Sequence, residues 1–172
     1  MLELMVLACL MSAPSHGYEL KKRLSGFSPN NNEIYPLLSK LEKKGCISVR
    51  TEETPGKPPR KVCSITGEGR SRMMELLRDF DDFRASSDEE FCLRVAFFQF
   101  LDKECIARIL DKREEALREY VSRSGVLSGI EGMPDVAYDI RFMKNFVDTR
   151  VSEEIRFINA LRKKHGIEKS AR

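Results

Sequence analysis

Between Ile34 and Ile65 the spacing of apolar residues changes once, from helical to strand-like, and the change falls on Gly45. Ile34, Leu37, Leu38 and Leu41 recur at helical intervals and need a core, while Lys40, Lys43 and Lys44 fall largely on the other side. Gly45 suits the C-terminal cap of that helix, Ile34 to Lys44. Beyond it Ile47, Val49 and Thr51 alternate with Ser48 and Arg50, the pattern of a half-buried strand. A second strand follows, with Lys61, Cys63 and Ile65 on one face and Arg60, Val62 and Ser64 on the other. The segment between, Thr54-Pro55-Gly56-Lys57-Pro58-Pro59, cannot continue a strand, because three prolines remove three backbone donors. It is a stiff turn flanked by Lys57, Arg60 and Lys61. A helix ended by glycine and followed by a basic-tipped hairpin suits a nucleic acid. The helix can enter a major groove while the hairpin reaches the flanking backbone.

The segments before it are read as two more helices. Leu2 to Met11 is apolar, with Leu2, Met5, Val6, Cys9 and Leu10 as its stripe. It lacks a basic leader, is interrupted by Glu3, and falls far short of the roughly 20 apolar residues of a membrane span. It reads as a buried first helix of a cytoplasmic protein. Ser12-Ala13-Pro14-Ser15 breaks it, and Ser15 or His16 can cap a second helix through Leu24, with Glu19 in its first turn. Asn30 followed by Glu33 resembles a capping box, yet Pro36 cannot donate a backbone hydrogen bond deep inside a helix. Either the regular helix begins closer to Tyr35 or it bends there. Thr66 is the expected N-cap of a helix from Gly67 to Phe83.

Charge is unevenly placed. Residues 1–72 hold 12 Lys and Arg against 7 Asp and Glu, whereas residues 73–172 hold 18 against 20. The positive excess lies where a polyanion would bind. The five cysteines form no C-x-x-C pair, and their setting suggests reduced, packed thiols. G-x-S-x-G, a Gly-rich phosphate loop and H-E-x-x-H are all missing, so no enzyme chemistry, metal or cofactor is expected.

Ala85-Ser86-Ser87-Asp88 marks the expected domain boundary, giving domains 1–84 and 85–172. The second reads as helical. Phe91, Phe97, Phe98 and Phe100 form an aromatic segment. Ile106, Ile109, Leu110, Leu117, Tyr120 and Val121 repeat near a 3.5-residue period. A last helix uses Ile140, Met143, Val147, Val151, Ile155, Ile158 and Leu161, after a loop from Gly125 to Pro134 and before a basic tail. Long amphipathic helices with so little chain to cover them pack against each other or a second copy.

The order helix, helix, helix, strand, basic loop, strand, helix is that of a winged helix-turn-helix. Three motifs sharpen it: S-H-G-Y-E-L at Ser15–Leu20, I-Y-P-L-L-S-K-L-E-K-K-G at Ile34–Gly45, and K-P-P-R-K-V-C-S-I-T-G-E-G-R at Lys57–Arg70. In order and spacing they resemble PadR-family transcriptional regulators, over about half of the chain. The C-terminal half resembles, in pattern and length, the longer branch of that family with a helical dimerisation extension. Cys63 stands where the family commonly has an aromatic residue. The expected fold class is therefore mainly α with a small β-hairpin: an N-terminal winged helix-turn-helix and a C-terminal helical dimerisation domain.

The resemblance implies a DNA-binding regulator, a repressor released by a small apolar or aromatic effector, acting as a homodimer on a near-palindromic operator in double-stranded DNA. The residues expected on DNA are Tyr18, Asn31, Tyr35, Lys40, Lys57, Arg60 and Lys61. Tyr18 and Tyr35 could equally be core residues with satisfied hydroxyls. Phe80, Phe83, Phe91 and Phe97 are the expected lining of an effector cleft, against the plainer reading of a filled hinge core. Two other functions stay open. One is a winged helix used to bind an acidic protein partner. The other is a thiol-based redox sensor working through Cys63 in the wing.

Overall fold

The computed structural model describes residues 1–25, 33–53, 59–124 and 137–168, with side chains in the last stretch from 142. The chain divides into two compact units, Met1–Asp79 and Phe80–Arg172. The division precedes the expected boundary at Ala85-Ser86-Ser87-Asp88, which falls inside the second unit between two of its helices.

The first unit holds α1 (Leu2–Ser12), β1 (Ser15–His16), α2 (Gly17–Leu24), α3 (Ile34–Lys43), β2 (Ile47–Glu52), β3 (Arg60–Ile65) and α4 (Gly67–Arg78). The three strands form an antiparallel sheet in the order β1-β3-β2. This is the winged helix-turn-helix order read from the sequence, with one strand more. β1 is only two residues long, and it pairs Ser15 with Cys63 and His16 with Val62. The wing itself pairs Ile47 with Ile65 through to Glu52 with Arg60.

α1 carries no simple stripe. Leu4, Met5, Val6, Leu7, Ala8 and Leu10 are all buried, while the expected Leu2 and Cys9 are half-buried. A helix apolar on every side belongs inside. α1 packs on α4, β3 and α2, and its one early charge is met when Arg72 Nε donates to Glu3 Oε1 at 2.9 Å.

α3 begins at Ile34, so Pro36 stands in its first turn. The backbone N–H groups there have no partner within the helix, and a proline costs little. Glu33 occupies the N-cap without a side-chain cap bond, and Asn30 lies outside the described residues. At the other end Gly45 has φ +72°. Its N–H donates to Glu42 O and that of Cys46 to Leu41 O, both at 2.9 Å, the paired bonds of a Schellman cap.

Thr66 caps α4 as expected and accepts from the Gly69 N–H at 3.1 Å. Its hydroxyl also donates to the Gly45 carbonyl at 2.6 Å, tying the end of α3 to the start of α4. The expectation of one helix from Gly67 to Phe83 is corrected: α4 stops at Arg78. The buried Phe80 turns the chain inward. Asp81 then restarts a helix by accepting from the Arg84 N–H at 2.9 Å.

The second unit contains α5 (Asp82–Ala85), α6 (Asp88–Ala96), a 3-10 turn (Phe98–Phe100), α7 (Lys103–Ser124) and α8 (Ala137–His165). Phe91, Phe98, Ile106, Ile109, Leu110, Leu117, Val147, Val151, Ile158 and Leu161 are buried. Among the described residues Arg94, Arg113 and Arg162 are buried with them. Arg113, 2% exposed, donates to Glu154 at 2.6 Å, to the Ala85 carbonyl at 2.7 Å and to Asp88 at 2.5 Å. Arg162 donates to Glu114 at 2.7 Å and Asp111 at 2.6 Å. Each of α7 and α8 thus gives the other one buried cation matched by acids. The expected loop Gly125–Pro134 lies outside the described residues, and so does the side chain of Ile140.

Candidate nucleic-acid interface

α2 and α3 meet at a glycine. A Cβ on Gly17 would lie 3.0 Å from Tyr35 Cε1 and 3.5 Å from Leu38 Cδ1. The bare backbone at the start of α2 therefore lets the Tyr35 ring pack across it. Tyr35 is still 51% exposed and Tyr18 is 53% exposed, so neither is a core residue. Tyr18 stacks on His16 with ring centroids 5.7 Å apart. His16 Nδ1 lies 3.2 Å from the Lys61 carbonyl, and the Glu19 carboxylate accepts from the His16 backbone N–H at 3.2 Å. Through β1 and this ring, the start of α2 is fixed to the base of the wing.

These contacts enclose a concave surface of about 480 Å³. His16, Tyr18, Tyr35, Ser39, Arg60 and Lys61 line it. Two tyrosine hydroxyls and two cationic side chains share one hollow, a set suited to phosphate oxygens. Lys40, Arg60 and Lys61 are exposed. None of the three is held in an ion pair among the described residues. Asn31 and Lys57, also expected on DNA, lie outside those residues.

Sequence reasoning missed three members of this surface. His16 was read as a cap, but its ring also lies within hydrogen-bond distance of the Lys61 carbonyl and stacks on Tyr18. Ser39 carries no charge to draw attention. Glu42 lines the same hollow and places a negative charge inside a basic face.

Cys63 lies in the floor, buried at the centre of the sheet. Burial pushes its thiol above the ordinary 9.0, and Glu42 adds to that, while Lys61 pulls the other way. A thiol held in its neutral form is a poor nucleophile toward oxidants, which counts against a redox switch in the wing. Cys9 is raised in the same way by burial.

In the second unit the four expected effector-lining rings sit in different surroundings. Phe80 and Phe91 are buried. The guanidinium of Arg94 lies over the first at 4.9 Å and that of Arg113 over the second at 5.3 Å. Phe97 is half-buried and stacks on Phe100 with centroids 6.3 Å apart. Phe83 is 85% exposed.

Residues 6–75 match the family model of the Transcriptional regulator PadR-like family. Over those residues the first unit carries a PadR-like domain. Its three motifs and the Gly17–Tyr35 contact all fall within the matched residues. Solved structures similar to the whole chain include Bacillus subtilis PadR in complex with operator DNA. It is 19% identical, with a TM-score of 0.45, over 95% of this chain and 98% of that one. The same protein in complex with p-coumaric acid is 19% identical, with a TM-score of 0.41, over 96% and 98%. Smu.1704 from Streptococcus mutans UA159 is 27% identical, with a TM-score of 0.44, over 49% of this chain and 80% of its own. No curated protein matches the sequence. Among the described residues, no helix is long and apolar enough to cross a membrane.

Proposed function

We propose that the protein is a DNA-binding transcriptional regulator, a cytoplasmic repressor that holds a near-palindromic operator as a homodimer and is released by a small effector. The observation that carries this reading is the shared hollow of Tyr18, Tyr35, Arg60 and Lys61 beside the exposed face of α3. In this proposal α3 enters the major groove, with Lys40 among its DNA contacts. The two tyrosines, Arg60 and Lys61 take phosphates, together with Asn31 and Lys57. The PadR-like domain over residues 6–75 supports it.

The dimer is supported by the surface of the second unit. Tyr120, Phe142, Met143, Phe146 and Phe157 are exposed on α7 and α8. Aromatic residues concentrated in this way favour contact with another chain. Two copies would place their recognition helices at half-sites about 34 Å apart, one turn of the duplex. For the effector, the proposal is a small apolar or aromatic molecule taken by Phe80, Phe83, Phe91 and Phe97. Bacillus subtilis PadR has been seen with p-coumaric acid.

Fluorescence anisotropy on the promoter region upstream of the protein's own gene, at two salt concentrations, tests the function. Binding that weakens steeply with salt is expected, with a log–log slope of roughly −0.9 for each phosphate neutralised. No binding at low salt would overturn the reading in favour of a protein-interaction module.

A further inference from the structure

We propose that Ser39, rather than a lysine, is the residue of α3 that reads base edges, so that operator specificity rests on a single hydroxyl flanked by phosphate-binding cations. This rests on the DNA-binding reading above and adds which residue discriminates between sequences.

The argument starts from the buried side of the helix. Ile34, Leu38 and Leu41 are buried and Leu37 is half-buried. At about 100° per residue these four define one face, and the line opposite runs through Pro36, Ser39 and Lys43. Lys40 lies well to one side of that line and Tyr35 to the other. Pro36, Ser39, Lys40 and Lys43 are all exposed. Residues on the outermost line meet the groove floor first, and those on the flanks meet its phosphate walls.

Position along the helix then separates the three. A recognition helix contacts base edges mainly through its N-terminal residues. Lys43 is the last residue of α3, so Pro36 and Ser39 remain. Both are short, which lets the helix backbone come close to the bases. Pro36 has no polar atom in its side chain. Ser39 has one donor and two acceptors and can pair with either kind of base edge. It also borders the hollow that holds Tyr18, Tyr35, Arg60 and Lys61, so phosphates bound there fix its register. Among the described residues, its hydroxyl makes no hydrogen bond within the protein that would compete with a base.

Lys40 keeps a different part. Its long flexible stem on the flank suits a phosphate, where a point charge is enough.

Binding-site selection from a randomised duplex pool, using the full chain, tests this. Wild type, Ser39→Ala and Lys40→Ala are compared, with anisotropy on one selected and one scrambled duplex. Ser39 is exposed and alanine favours helix, so the fold survives the change. The expected result is that Ser39→Ala loses preference at one base pair by about 3- to 10-fold, the range of one neutral hydrogen bond. Its affinity for the scrambled duplex and its salt slope stay unchanged. Lys40→Ala is expected to keep the preferred sequence and to shallow the salt slope by about 0.9. An unchanged preferred sequence with Ser39→Ala, or a preference lost with Lys40→Ala instead, overturns the assignment. A wild type that selects no sequence at all overturns the DNA reading itself, and this inference with it.

Discussion

A side-chain carbon on Gly17 would lie 3.0 Å from Cε1 of Tyr35. The contact is tight enough that one partner must move, and the half-exposed tyrosine ring is the mobile one. Gly17→Ala is therefore expected to leave the melting temperature within a few degrees of wild type. DNA affinity should fall by about as much as in Tyr35→Ala. Thermal melting and anisotropy on the same preparation check it; a large loss of stability with unchanged affinity would be the contrary result.

Gly69 is a harder case. A Cβ there would fall on the Cys46 carbonyl oxygen and lie 2.8 Å from Ile65 Cγ1. The Cys46 carbonyl already accepts the Thr66 N–H at 3.1 Å, so the clash is with fixed backbone. Gly69→Ala is expected to destabilise the protein by about 3 kcal/mol, the upper part of the usual overpacking range. Urea denaturation followed by circular dichroism measures it.

Arg113 satisfies three acceptors from inside the second unit. Arg113→Met leaves Glu154 with a partly buried, unmatched charge, and removing one partner of a fully buried pair typically costs about 3–5 kcal/mol. Asp88 is half exposed and is also bonded by Arg150, so the lower end is expected. The double change Arg113→Met with Glu154→Leu should recover part of the loss. Denaturant midpoints of the two single variants and the double variant test this.

The wing residues should behave as phosphate contacts. Arg60→Ala and Lys61→Ala, and Lys57→Ala with them, are each expected to weaken binding to all sequences alike. Each should also reduce the salt slope by roughly 0.9. A change in preferred sequence from any of the three would assign it to base reading instead.

Cys63 gives the protein a pH dependence. Its folded-state thiol ionises above 9.0 because burial disfavours the thiolate. The unfolded chain therefore loses this proton first as pH rises. The group's contribution to stability is complete below the unfolded value and is lost progressively above it. Cys63→Ala should melt with a flatter profile than wild type between neutral and strongly alkaline pH. The same burial predicts that peroxide leaves DNA binding intact, which a gel shift before and after treatment would show.

Much of the first unit could be read from spacing alone. The helix at Ile34, its stop at Gly45, the two wing strands and the Thr66 cap are all set by residues close together in the chain. β1 was invisible, because two residues cannot show an alternation; Ser15 and His16 are a strand only because Cys63 and Val62 lie beside them. The same crossing buries both Val62 and Cys63, against the in–out pattern expected of β3. In the second unit Arg113 and Arg162 are buried. Their partners Glu154, Asp111 and Glu114 stand on the facing helix, and no local interval announces them. Within the interface, charge and aromaticity pointed to Tyr18, Tyr35, Arg60 and Lys61. A serine has no such signature, and Ser39 emerges only once the buried face of α3 is known.

The two-residue strand β1 has an effect out of proportion to its length. By pairing with β3 it makes the start of α2 and the base of the wing parts of one body, with His16 bridging to the Lys61 carbonyl. In the proposed DNA complex, a phosphate group held at Tyr18 and another held at Lys61 would immobilise the same object. The rotational freedom surrendered at the first grip is not surrendered again at the second, so the second contact adds nearly its full strength. Cutting that pairing would leave every side chain of the proposed interface on its own element and still turn one two-handed grip into two independent weak ones.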